Sequence, residues 1–272
     1  MEELWLIGGD TRSRWTVETL EQNGYAVRTY GVPQRVDRPL PERFGVLILP
    51  FPSLRGSLVR GTELALEELL QRLDGKSRVY GVQLGSWKQR FESLGATVTD
   101  VYGSEPLTTE NAVLTAEGAI ELAMRKSEIA LHGAKCLVIG CGRIGKVLAQ
   151  KLYALQADVT VSARKAGDWA LIEAMGMKSD MTGRYLHGLR EYDFVFNTVP
   201  APILSDAQLK QVSKDCILLE LASAPFGCSA EVCRSLGLNY LLASGLPGLY
   251  APKTAGSLYA RCILRNLMEG EP

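Results

Sequence analysis

The chain has 272 residues, 46% apolar and 22% charged, with thirty basic side chains balancing thirty acidic ones. A length of this order fits about two globular domains. Zero net charge without a Lys/Arg-rich run gives neither nucleic acid nor an anionic bilayer an electrostatic foothold, so a small molecule or another protein is the expected partner.

In chain order, apolar strands alternate with helical stretches: "LWLIGG", a helix over 14–23, "YAVRTYG", "GVLILPFP", a helix over 62–73, "RVYGVQLG" and "ATVTDVYG". Such alternation predicts a parallel sheet. After "SEPLTTEN" a longer helix is predicted over 112–126, placed to link two domains. A second alternating unit follows, with "KCLVIG", a helix over 144–155, "DVTVSA", "FVFNTVP", "CILLELAS" and "LNYLLASG". A final helix is predicted over 254–268, beside Pro252, a residue suited to a first helical position. The expected fold is α/β: two Rossmann-like, doubly wound parallel-sheet domains joined by a linker helix, with the C-terminal helix packing back on the first domain. The expected divisions are 1–105, 106–130 for the linker, 131–245 for a dinucleotide-binding domain and 246–272 for the returning turn and helix.

The opening "MEELWLIGGD" is acidic and reaches glycine after four apolar residues. That pattern matches neither a signal peptide nor a membrane span, and a cytoplasmic protein is expected. Six cysteines, some at C-x4-C spacing, lack the tight C-x2-C pairs of zinc sites, so buried thiols and no metal are expected.

The strongest chemical signal is "KCLVIGCGRIGKVLAQ", where Gly140, Gly142 and Gly145 form G-x-G-x-x-G between a buried-type strand and an amphipathic helix. The first glycine permits the tight turn, the second lets a pyrophosphate approach the backbone, and the third lets the helix pack on the strand. Arg143 and Ile144 open the helix whose N-terminus would meet the pyrophosphate. An NAD site normally shows an acidic residue about 20 positions after the first glycine. Here "VTVSARK" offers Ser162, Arg164 and Lys165 instead, and that placement favours NADP over NAD, since Arg grips a 2′-phosphate with paired charge-assisted bonds. Asn197, Thr198, Val199, Ala222 and Ser223 end later strands and are expected to border the ribose and nicotinamide.

Both histidines, His132 and His187, precede strands at the amino end of the sheet. This counts against a hydroxyacid dehydrogenase, which needs a histidine acid beside the nicotinamide. Glu117 reads as a carboxylate of the linker helix. "LIGGDTRSRW" forms a second glycine turn without the full fingerprint, at which backbone N–H groups and Arg12 offer a carboxylate seat. In "GLPGLYAPKTAG", Lys253 lies in the first turn of a helix, where the macrodipole disfavours a cation unless an anion binds there.

An ordered set of motifs, "GGDTR", "ILP", "TAEGAI", "HGAKCLVIGCGRIG", "SARK", "NTVPAPIL" and above all "GLPGLYAPKTAG", resembles the A subunits of dipicolinate synthases of endospore-forming bacteria. Leu114 stands where that family usually carries proline, and residues 31–103 carry little of the resemblance. The resemblance implies oxidation of a dihydrodipicolinate-type precursor to pyridine-2,6-dicarboxylate, with NADP+ taking the hydride and with a partner, the flavoprotein-like B subunit. It also implies a small dicarboxylate ligand seated by Lys253 and Thr254. Two other readings are a shikimate-dehydrogenase-like NADP-dependent reductase, whose Lys/Asp pair has no clear counterpart here, and a dinucleotide-sensing subunit without turnover. A homo-oligomer is left open.

Overall fold

The computed structural model describes residues 3–182 and 188–269, so the expectation for His187 lies outside the described residues. The chain divides into two compact units, Met1–Asn111 with Tyr250–Pro272, and Ala112–Leu249.

The first unit runs β1 (Glu3–Ile7), α1 (Thr11–Gln22), β2 (Ala26–Tyr30), β3 (Val46–Ile48), β4 (Leu54–Arg55), β5 (Leu58–Val59), α2 (Leu66–Leu70), β6 (Arg78–Gly81), α3 (Ser86–Glu92) and β7 (Thr97–Asp100). Its five-stranded sheet has the order β2-β1-β3-β6-β7 with every pairing parallel. Counted along the unit this is the 2-1-3-4-5 order of flavodoxin-like sheets, whose ligand crevice lies where the winding reverses, between β1 and β3. Trp5, Ile7, Leu47, Leu49, Val79 and Phe91 form the centre of its core.

The helix expected over 62–73 contracts to Leu66–Leu70. Upstream, Val59 donates to Leu64 O at 2.9 Å and the Thr62 hydroxyl donates to Val59 O at 3.0 Å, so these residues form a turn that doubles back after β5 instead. The linker helix α4 (Glu105–Lys126) starts seven residues before the expected position. Pro106 hides that start in the sequence, yet a first-turn proline sacrifices no intrahelical bond.

The second unit continues through β8 (Lys135–Ile139), α5 (Arg143–Ala154), β9 (Asp158–Ala163), α6 (Ala166–Ala174), β10 (Lys178–Met181), β11 (Phe194–Asn197), α7 (Asp206–Leu209), β12 (Ile217–Glu220), α8 (Ala230–Ser235), β13 (Asn239–Leu242) and α9 (Leu246–Tyr250). Its six parallel strands are ordered β10-β9-β8-β11-β12-β13, which is 3-2-1-4-5-6 along the unit, the dinucleotide-binding order. β8 and β11 are buried along most of their length, as strands covered on both faces must be. Burial also pushes the Cys136 and Cys216 thiols up to about 12, so both stay protonated and inert.

Helix α10 (Pro252–Glu269) returns to the first unit and packs on α1. The approach is close. The Thr16 hydroxyl donates to Gly256 O at 3.1 Å, Thr19 and Ser257 share a 2.9 Å hydroxyl contact, and Tyr259 donates to Leu49 O at 2.7 Å. A Cβ on Gly256 would stand 2.3 Å from Arg12 O and 2.7 Å from Trp15 Cβ, so only glycine permits this crossing. Gly256→Ala is therefore expected to lower stability by about 1–3 kcal/mol through overpacking, read as a shifted denaturant midpoint. An unchanged midpoint would show that the two helices separate at no cost.

Among the described residues, no helix is long and apolar enough to cross a membrane.

Candidate functional site

The β8–α5 turn lies at the point where the second sheet reverses its winding, between β8 and β11. Its three glycines answer three different constraints. Gly140 has φ +104°, and a Cβ there would meet Thr198 Oγ1 at 2.5 Å and Val199 Cγ2 at 2.7 Å. A Cβ on Gly145 would meet Gly140 O at 2.1 Å, which fixes how closely α5 can follow the turn. Gly142 differs from both. Its φ of −79° suits any residue, and no heavy atom lies within 4 Å of its would-be Cβ. Nothing in the protein demands glycine at 142, while the exposed space beside it opens at the N-terminus of α5, where N–H donors and dipole favour an anion. The residues present fit a dinucleotide pyrophosphate.

Gly140 N–H donates to Ser162 O at 2.9 Å, and the Thr198 N–H and hydroxyl both donate to Ile139 O at 2.9 Å. These bonds tie the ends of β8, β9 and β11 together. Arg143 is exposed and Ile144 half-buried at the start of α5.

The β9 end requires one correction. Ser162 is fully buried and its hydroxyl donates to Thr182 Oγ1 at 3.1 Å, because β9 is covered on both faces; it does not present its oxygen to a 2′-phosphate. Arg164 and Lys165 follow the last strand residue, are exposed, and form no ion pair among the described residues. Lys165 is the N-cap of α6, and Trp169 Nε1 donates to Ala163 O at 2.8 Å, anchoring that helix to the strand end. Lys146, on α5, lies 3.6 Å from Asp168.

At the ends of β11 and β12, Asn197 is buried, Thr198, Val199 and Ala222 are half-buried, and Ser223 is exposed. The Asn197 amide is engaged within the protein, donating to Glu220 Oε1 at 2.7 Å and to Val199 O at 3.0 Å. Sequence reasoning passed over Glu220. The signal is that "FVFN" and "ILLE" are apolar strands that each end in one polar residue, and Asn197 and Glu220 are register partners.

In the first unit, the glycine turn after β1 is filled by the chain itself. Gly9 N–H donates to Arg60 O at 2.6 Å, a Cβ on Gly8 would meet Arg60 O at 2.4 Å, and one on Gly31 would meet Thr62 Cγ2 at 2.4 Å. The segment following the β4–β5 hairpin thus takes the place a dinucleotide would need. Arg12 also departs from expectation. It is 6% exposed, and its Nε and Nη2 donate to Asp10 Oδ1 at 2.9 Å and Oδ2 at 2.6 Å, with the guanidinium 5.4 Å from the Phe51 ring centroid. Burial pushes the Asp10 carboxyl up, but the hydrogen bonds and charge of Arg12 outweigh it and hold the group below its usual range. Arg12 is a partner of Asp10 and not a free anion receptor.

Two other cations meet on Trp15: Lys253 Nζ lies 4.8 Å and the Arg14 guanidinium 4.9 Å from its ring centroid. Arg14 also contacts Gln34. Lys253 and Thr254 are exposed in the first turn of α10, and Lys253 forms no ion pair among the described residues. Glu117 pairs with Lys151 at 2.8 Å, which accounts for it as a surface carboxylate. His132 is exposed ahead of β8, on the side of the sheet away from the glycine turn.

Comparison with known proteins agrees with this geometry. Residues 128–232 match a family described as NAD(P)-binding. The chain is 28% identical over 282 residues to the dipicolinate synthase A subunit of Bacillus subtilis, covering 97% of this chain and 95% of the relative. Among solved structures, the dipicolinate synthase A subunit from Bacillus halodurans superposes with a TM-score of 0.90 at 26% identity, covering all of this chain and 98% of that one. A transhydrogenase from Sinorhizobium meliloti, at 15% identity and TM-score 0.71, covers 97% of this chain and 93% of its own and shares the fold. The resemblance to dipicolinate synthase A subunits therefore runs the length of the chain, and its residues 128–232 match the NAD(P)-binding family.

Proposed function

We propose that this chain, similar throughout to the A subunits of dipicolinate synthases, oxidises a dihydrodipicolinate-type precursor to pyridine-2,6-dicarboxylate with NADP+, working with a partner B subunit. The observation that carries the cofactor half is Gly142, a glycine that no protein contact requires, at the open mouth of a 3-2-1-4-5-6 sheet.

When bound, the oxidised nicotinamide ring supplies the hydride acceptor. The protein's own task is placement. The α5 N-terminus holds the pyrophosphate, and Arg164 with Lys165, free of carboxylate partners among the described residues, grips the 2′-phosphate. Thr198, Val199, Ala222 and Ser223 border the nicotinamide. In the first unit, Lys253 and Thr254 seat a substrate carboxylate, and Arg14 takes the role expected of Arg12, since it shares the Trp15 ring with Lys253. Two adjacent cations match a dianion better than either alone. Aromatisation removes a hydride from one ring carbon and a proton from another position, so orientation of the ring dominates over base strength.

The test is direct. The purified chain, supplied with NADP+ and freshly made 4-hydroxy-tetrahydrodipicolinate, which loses water to give the dihydro precursor, should form NADPH, a proton and dipicolinate, and is measured with and without the B subunit. A folded chain that binds NADP(H) and forms neither product in both conditions defeats the reaction assigned here. For the cofactor, Arg164→Ala is expected to weaken NADPH by about 1–3 kcal/mol, the range for a charged hydrogen-bonding pair, and to leave NADH unchanged by calorimetry. Equal losses for both dinucleotides would remove the 2′-phosphate assignment.

A further inference from the structure

Glu220 ends β12 with 1% of its surface exposed, where an ionised carboxylate carries a heavy desolvation cost unless hydrogen bonds compensate. Three donors from three places converge on it. Oε1 accepts from Asn197 Nδ2 at 2.7 Å and from the Ala222 N–H at 3.1 Å, and Oε2 accepts from the Gly227 N–H at 2.8 Å.

Each donor extends the connection. Asn197 closes a ring with Val199, its Nδ2 donating to Val199 O at 3.0 Å and its Oδ1 accepting from the Val199 N–H at 3.1 Å. Gly227 O accepts from the N–H groups of Ile203 and Leu204 at 2.9 and 3.0 Å. The fit around Gly227 is tight, since a Cβ there would stand 2.3 Å from Asn197 Nδ2 and 3.1 Å from Glu220 Oε2. One carboxylate thereby fixes both the segment after β11 and the segment after β12.

These two segments leave the carboxyl ends of neighbouring strands, one of them beside the reversal of the sheet, which is the ligand side of such a fold. Bonds to a charged acceptor are shorter and roughly twice as strong as neutral ones, and so fix their donors more firmly. Apolar packing of the same volume serves stability equally well or better than a buried charge. We propose that Glu220 is a positioning residue for the nicotinamide half of the cofactor, holding Thr198–Val199 and Ala222–Ser223 at one fixed separation. The inference rests on the dinucleotide reading above. The β8–α5 turn, which would hold the pyrophosphate, packs on Thr198 and Val199 but makes no bond to Glu220 among those described, and Thr198 is anchored to Ile139 O by bonds that do not involve Glu220, so the adenosine half is expected to respond far less than the nicotinamide half.

The experiment compares NADPH with 2′,5′-ADP, which carries the adenosine and 2′-phosphate but no nicotinamide, by titration calorimetry on the full chain. Glu220→Gln removes the charge at constant shape and is expected to weaken NADPH about 10-fold, as the loss of one charge-assisted bond does, while 2′,5′-ADP stays within about twofold. Gly227→Ala, which pushes the second segment off the carboxylate without altering its charge, should repeat that pattern and decides the matter if Glu220→Gln fails to fold. A merely structural role predicts equal weakening of both ligands together with a lowered melting temperature, and that result overturns the inference. Unchanged NADPH affinity in both variants overturns it as well, while leaving the cofactor reading intact. Wild-type chain that binds neither ligand defeats the cofactor reading and this inference together.

Discussion

Gly142→Val should weaken dinucleotide binding by about 100-fold or more while costing only the loss of a favourable N-cap residue, about 1 kcal/mol, whereas Gly145→Ala should damage the fold itself. The difference follows from what surrounds each position. At 142 the backbone φ of −79° accepts a branched side chain and the space within 4 Å is empty, so the folded state meets no clash. The valine methyls would instead occupy the approach of the pyrophosphate to the N-terminus of α5. Losing two charge-assisted bonds at about 1.5 kcal/mol each weakens NADPH by about 100-fold or more. At 145 an added Cβ sits 2.1 Å from Gly140 O, a backbone atom that cannot swing aside, and α5 must lift from the turn. Overpacking of this kind costs about 1–3 kcal/mol. Paired melting curves and NADPH titrations of the two variants measure both halves. If Gly142→Val binds NADPH with wild-type affinity while folded, the turn is not the cofactor site.

The same contrast shows what a sequence can and cannot disclose. The three glycines are legible because their spacing is a pattern contained in six residues of chain, even though Thr198 and Val199, far along the sequence, are what crowd Gly140, and the sheets are legible because parallel strands are apolar along their length. The start of α4 is hidden by a polar, proline-containing stretch, and the helix tolerates Pro106 because it lies in the first turn. Other features depend on contacts across the fold. Ser162 stands in sequence beside Arg164 and Lys165, but it lies within a strand covered on both faces and bonds to Thr182. Arg12 looks like a free cation until Asp10, two residues earlier, closes on its guanidinium. Glu220 becomes meaningful only when the register places it opposite Asn197, 23 residues earlier in the chain. The glycines after β1 resemble a second nucleotide turn, yet the chain's own Arg60 and Thr62 fill the space above them. A motif discloses the backbone shape it needs and leaves open whether a ligand or the protein occupies the space it creates.

Lys253→Met is expected to lower turnover by about 10-fold or more, the consequence of removing one charge-assisted contact to a substrate carboxylate, while stability and NADPH affinity stay near wild type. Two opposing local contributions set the stability expectation. The ammonium lies 4.8 Å from the Trp15 ring centroid, and an exposed cation–π contact of this kind contributes about 0.5–1 kcal/mol. It also lies in the first turn of an 18-residue helix, where the macrodipole disfavours a cation by about 0.3–1 kcal/mol. Arg14, 4.9 Å from the same ring, adds like-charge repulsion. The methionine keeps apolar contact with the indole and removes both unfavourable contributions, so the net change is close to zero. A structural lysine would behave otherwise, because breaking its ion pair would lower the melting temperature, but no carboxylate pairs with Lys253 among the described residues. NADPH affinity is spared because Lys253 is not among the residues proposed to hold the cofactor. Arg14→Met should lower turnover in the same way, and the double variant should lose less than the product of the two single losses, since both cations act on one anion beside one ring. Wild-type turnover in Lys253→Met, measured at saturating NADP+ with the B subunit present, would remove the lysine from the site and leave the first turn of α10 as a packing element alone.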